Sequence, residues 1–119
     1  MLKPASLFCF PLLLAACQPL PSVEPAPSAT AVEGGAFAEA SCAECHAVGR
    51  YGISRISNAP PFPVIVNQEG VTAETLSYWL EGAHNYPREM DFYLREREVD
   101  GLVAYMLTLQ DPNFRRPPD

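Results

Sequence analysis

Gly34-Gly35-Ala36-Phe37-Ala38-Glu39-Ala40-Ser41-Cys42-Ala43-Glu44-Cys45-His46 is the stretch on which the reading of this 119-residue chain turns. Small, helix-tolerant residues predict a helix from about Gly34 into Ala43, with a pair of cysteines at its end. Two thiols three positions apart on a helical turn point the same way, and His46 follows at once. A tetrahedral zinc site needs four ligands, and no second Cys pair exists. A thioredoxin-like redox pair needs a βαβ context, and no period-two strand is found. A disulfide between residues so close would restrain little chain.

Upstream, Lys3 precedes an almost wholly apolar run from Leu7 to Ala16. That run is too short to span a membrane as a lasting helix and has the form of a secretory signal. It ends in Leu14-Ala15-Ala16-Cys17, which resembles the bacterial lipobox. That resemblance implies cleavage after residue 16 and a lipid on Cys17. Cys9 then leaves with the signal, and only Cys42 and Cys45 remain for the folded part. Residues 17–32 are rich in Pro, Ala and Ser, with no apolar periodicity, and predict an extended tether. The expected domain is 33–112, with a short tail at 113–119. A domain this small usually needs support beyond its own core.

Downstream, two more helices are expected. One starts after Thr72 as N-cap and ends at Gly82, with Leu76, Trp79, Leu80 and Ala83 on the helical period. The last runs from about Glu96 to Leu109, with Val99, Leu102, Val103 and Met106 on one face and Pro112 beyond it. Residues 47–67, rich in Gly, Pro, Ser and Asn, read as loop. Arg95 falls at the cap of the last helix without an acceptor atom, which predicts a loosely held start. The fold class is all-α.

Cys-x-x-Cys-His is the attachment signature of c-type haem, in which the thiols take up the two vinyl groups and the His ligates iron. Around it the chain resembles the class I cytochromes c over Gly34 to Leu109. The matching features are Gly34 ahead of the motif, Pro60 within Ala59-Pro60-Pro61-Phe62, Met90, and Leu102 with Tyr105 in the last helix. The resemblance implies a small fold wrapped around one covalent haem c, with Cys42 and Cys45 attached and His46 as proximal ligand. It also implies that Gly34 meets Leu102 and Tyr105 where two helices cross. It places the second axial ligand at Met90, with His84 the alternative, whereas Met106 on an apolar face reads as core. Asp91 stands where the family often has Pro, so the stiffness of that loop departs from the pattern. The family's carbonyl acceptor for the proximal His corresponds to Pro60, with Pro61 its neighbour, although both prolines also suit a plain turn. Trp79 fits either a haem contact or ordinary packing.

The expected function is electron transfer by a membrane-tethered monohaem cytochrome, without substrate chemistry of its own. The alternatives are the cytochrome subunit of a respiratory oxidoreductase complex, a haem protein with peroxidase or ligand-binding activity, or a structural lipoprotein with a plain Cys pair. A monomer is expected on the periplasmic side of a bacterial envelope. Gln18 in place of Asp favours the outer membrane over the inner. The formal charge of −6 argues against nucleic acid and for a redox partner with a basic docking surface.

Overall fold

A computed structural model describes residues 25–82 and 92–116. Within them the chain is all-α: α1 (Ala29–Ser41), α2 (Phe62–Val66), α3 (Ala73–Gly82) and α4 (Glu96–Leu107), with no strand among the described residues. Cys17, His84 and Met90 lie outside the described residues. No helix among the described residues is long and apolar enough to cross a membrane.

α1 begins at Ala29, inside the 17–32 stretch read above as tether. The reason is local. The prolines of that stretch stop at Pro27, and the Oγ of Ser28 accepts from the Ala31 N–H at 3.1 Å, capping a run that Ala favours. Ala31, Gly34 and Ala38 are its buried residues, a narrow stripe of small side chains. That stripe lies against α4, and the two backbones nearly touch. A Cβ added to Gly34 would fall inside the Gly101 carbonyl, and one added to Gly101 would lie 3.2 Å from the Gly34 Cα. Gly101 is what a Cβ on Gly34 would meet first, and the Tyr105 ring lies nearest to Gly35. Two glycines one above the other permit this approach, and any side chain forces the helices apart.

α4 presents Val99, Leu102, Val103 and Met106 inward, as its periodicity predicts. Its start is better held than Arg95 alone suggests. The Glu98 carboxylate reaches back to accept from the Arg95 N–H at 2.8 Å, and the Arg95 guanidinium lies 3.5 Å from the same carboxylate. α3 opens with a reciprocal pair: the Thr72 N–H donates to the Thr75 Oγ1 at 2.9 Å, and the Thr75 N–H to the Thr72 Oγ1 at 3.3 Å. Leu76 and Leu80 carry its inner face.

α2 falls within the segment expected to be loop. Prolines at 60, 61 and 63 hide it, yet Pro is tolerated in a first turn where its missing N–H has no intrahelical partner. Phe62, Val64 and Val66 are buried there. Asn67 then joins α2 to the end of α4. Its Nδ2 donates to the carbonyls of Pro63 (2.8 Å) and Leu109 (3.2 Å), and its Oδ1 accepts from the Asp111 N–H at 2.7 Å. Gln110 Nε2 adds bonds to the carbonyls of Val66 and Val71. The core between these helices contains Ala38, Phe62, Val66, Leu76, Leu80, Val99, Leu102 and Met106.

Gly34→Ala is expected to cost about 3 kcal/mol, the upper part of the usual overpacking range. Gly49→Ala, whose nearest contact for the new Cβ is the Tyr51 carbonyl at 3.7 Å, should stay within about 0.5 kcal/mol. Urea denaturation of the two variants checks the difference, and equal midpoints would refute the crossing.

Candidate functional site

α1 releases the chain at Ser41, and the next residues close one further turn. The N–H groups of Cys45 and His46 both bond to the Cys42 carbonyl, at 3.1 and 2.9 Å. The turn keeps Cys42 and Cys45 on one side. Both are half-buried free thiols, and both line the same cavity. The helix therefore ends two residues earlier than the sequence suggested, and the Cys pair sits on the turn that follows it.

His46 lines that cavity too, and its ring is fixed from behind. Nδ1 lies 2.7 Å from the Pro60 carbonyl oxygen. A carbonyl only accepts, so Nδ1 carries a proton, which in the neutral ring leaves the lone pair on Nε2. The acceptor is on Pro60, not Pro61. Phe62 tilts against the imidazole, with centroids 5.6 Å apart and planes at 51°. Three bonds hold the intervening loop in register: Ile56 N–H to the Cys45 carbonyl (3.3 Å), Phe62 N–H to the Ala47 carbonyl (2.9 Å) and Ala47 N–H to the Ser54 Oγ (3.0 Å). On the far side, the Tyr105 hydroxyl donates to the Val48 carbonyl at 2.9 Å, and Arg50 to the Thr108 carbonyl at 2.7 Å. The loop that reads as flexible from its composition is thus tied to α4 and to the His.

The cavity has a volume of about 70 Å³ and opens to solvent. Every element contributes a wall: Ser41 and the Cys pair from the end of α1, Phe62 and Ile65 from α2, Trp79 and Leu80 from α3, Leu102 and Met106 from α4. Phe92 and Leu94 close it ahead of α4. No charged residue lines it among the described residues. Trp79 remains 40% exposed, so it forms the rim where the cavity meets solvent. Met106 is 1% exposed and belongs at once to the core and to the cavity wall. Cys42, Cys45, His46 and Trp79 are thus brought together, with Pro60 behind the His.

Sequence reasoning missed Ile65 and Leu94. Ile65 is part of the short α2 that the prolines mask, and Leu94 precedes α4 with no periodicity of its own. Only their apolar character signals them.

Burial pushes the Cys42 thiol from 9.0 up to about 11, and the neighbouring Cys45 adds to the rise. Among the described residues no group of three or more His, Cys, Asp or Glu is placed to hold a metal ion. Two thiols and one imidazole thus line a wall that is otherwise apolar apart from Ser41 and the Trp79 indole.

Comparisons of the chain with protein-family models, with curated proteins and with solved structures gave no match.

A thiol whose pKa is about 11 instead of 9.0 holds roughly one hundredth of the usual thiolate at pH 8. In protein with both cysteines free, Cys42 should alkylate about a hundredfold more slowly than an unburied thiol. Its rate should climb tenfold per pH unit up to about pH 11. Iodoacetamide labelling read by peptide mass tests this, and a rate already flat between pH 8 and 10 would refute it.

Proposed function

We propose that this chain is a monohaem c-type cytochrome whose role is electron transfer. The observation that carries the reading is the placement of Cys42, Cys45 and His46 on one wall of an uncharged cavity, with the His46 Nδ1 proton donated to Pro60. Cys42 and Cys45 would hold the group by thioether bonds, and the Nε2 of His46 would ligate its iron. Haem bound there would supply a one-electron couple. The Pro60 carbonyl keeps the imidazole from rotating and raises its basicity as a ligand. Phe62, Leu80 and Leu102, which line the cavity, would exclude water from a group bound there, and Trp79 would shield it from solvent.

The second axial ligand is proposed as Met90, on the order of residues before the last helix. Met106 is the other sulfur in that half of the chain. It is held in the α4 core while also lining the cavity, so the variants below decide between the two. A thioether opposite His raises the reduction potential and closes the iron to substrates, which favours a carrier over an enzyme. The lipid on Cys17 and the residues after it would hold the domain at the periplasmic face of a bacterial envelope membrane.

Expression in a host with c-type maturation machinery should give protein that retains one haem under denaturing electrophoresis. Cys42→Ala with Cys45→Ala should abolish that retention. Wild-type protein from a maturation-competent host that carries no covalent haem would end this reading. For the haem-bearing protein, Met90→Ala should remove the sulfur-to-iron charge-transfer band of the oxidised form, and Met106→Ala should keep it. The reverse pattern would move the ligand to α4.

A further inference from the structure

His46 is held at three points, and each fixes a different freedom. Its own N–H bonds to the Cys42 carbonyl at 2.9 Å, which sets the peptide entering the residue. The Pro60 carbonyl, 2.7 Å from Nδ1, sets the rotation of the ring. The third point is less direct. The Ala47 N–H lies in the plane of the peptide that leaves His46, and it donates to the Ser54 Oγ at 3.0 Å. Holding that N–H holds the ψ of His46, and with it the direction in which the imidazole leaves the chain. Cys42 and Pro60 act through backbone carbonyls, which other residues would also provide. Ser54 acts through its side chain, so this hold depends on the identity of one residue.

The loop is shaped to bring Ser54 there. Gly52 has a φ of 135°, which is open to glycine and strained for other residues. A Cβ built on it would lie 3.5 Å from the Ala47 Cβ, so the loop folds back onto Ala47 at this turn. Ile53, Arg55 and Ile56 are exposed, whereas Ser54 between them is half-buried. A Ser hydroxyl commonly bonds backbone up to about four residues away, in turns and helix caps. Here it reaches back seven residues, and residues 50–58 form no helix for it to cap. A local turn or cap therefore does not account for a hydroxyl at this position, and the bond to Ala47 does.

We propose that Ser54 is a positioning residue for His46: by holding the Ala47 N–H, its hydroxyl aims the imidazole into the cavity. The inference rests on the haem reading for what the imidazole meets there, and adds a side chain that tunes it. Without the hydroxyl, the His46–Ala47 peptide is free to swing and the ring shifts against Pro60. The Nδ1 bond weakens, and the imidazole becomes a less basic ligand. A less basic ligand stabilises oxidised iron less, so the reduction potential of the haem-bearing protein rises.

The test uses the full chain from a maturation-competent host, isotopically labelled and reduced, with haem content read by absorbance. Nuclear magnetic resonance follows exchange of the His46 Nδ1 proton with solvent, a signal of the imidazole whether or not haem is present. Ser54→Ala should speed that exchange about tenfold, as loss of a hydrogen bond does. Ser54→Thr keeps the hydroxyl and should hold the wild-type rate. Tyr105→Phe removes the bond to the Val48 carbonyl in the same loop and should leave the rate unchanged. In the haem-bearing protein, Ser54→Ala should also raise the reduction potential, and Ser54→Thr should not. In the wild type, the Ala47 amide and the His46 Nδ1 proton should open together, with one dependence on urea, a measurement that does not require Ser54→Ala to fold. A haem-free protein in which Ser54→Ala still frees the ring would keep the positioning role and end the haem reading. Bound haem with an unchanged exchange rate in Ser54→Ala would keep the haem reading and overturn the positioning role. Equal acceleration by Tyr105→Phe would overturn it too, since the cause would then be a looser loop, and so would separate opening of the two protons.

Discussion

The contact on which the rest depends is the approach of Gly34 to Gly101. At that point α1 and α4 are separated by backbone alone, because neither residue carries a Cβ. The consequences run outward along both helices. Two turns after Gly34, α1 ends and hands the chain to Cys42. One turn after Gly101, the Tyr105 ring lies over Gly35 and its hydroxyl reaches Val48. Met106, on the same side of α4 as Leu102, enters the cavity. The distance from the thiols to the opposite wall is therefore set by how near the two helices come. Wider separation would loosen the cavity without altering any residue that lines it.

The irregular part of the chain is held by a different means. Between Cys42 and Pro61 there is no described helix, so its backbone groups find partners in side chains and in distant carbonyls. Ser54 bonds the Ala47 N–H and Tyr105 the Val48 carbonyl, while the Arg50 side chain ties the loop to the Thr108 carbonyl beyond α4, and Asn67 and Gln110 bond carbonyls where α2 meets the end of α4. No described buried side-chain nitrogen or oxygen lacks a partner. Rigidity matters here because the loop delivers Pro60 to His46. A carbonyl that wandered would let the imidazole turn, and the lone pair on Nε2 would lose its aim.

What the sequence showed depended on whether a residue acts through local pattern or through a distant neighbour. The inner faces of α3 and α4 were legible from periodicity, and Thr72 was legible as a cap. The turn of Cys42 to His46 was legible from spacing. α1's true start was not, because the tether's composition blurs past Pro27, where a single Ser changes the local rule. α2 was not, because three prolines outweigh a short apolar run in any pattern reading. The Gly34–Gly101 crossing was half legible: Gly34 stood out, but its partner is fixed by the register of α4, which no local signal gives. The cavity wall shows the same division. Leu80 follows a period, whereas Ile65 and Leu94 reach the cavity only through the packing of whole elements.

The raised thiol pKa of Cys42 bears on the proposed function beyond reactivity. The thiolate is penalised because the cavity is apolar and no described charged side chain lines it. The same desolvation acts on any charge placed there, whatever its sign. On the proposed reading it disfavours the more highly charged oxidation state of a bound group and so favours the reduced one. A thioether ligand pushes the potential in the same direction. The two effects are separable by position. A thioether ligand would act from its sulfur, and the cavity would act through the water that Phe62, Leu80 and Leu102 would exclude from a bound group. Opening the Trp79 rim to solvent would therefore lower the potential with both axial ligands kept, because it restores hydration to the oxidised form without touching the iron's donors.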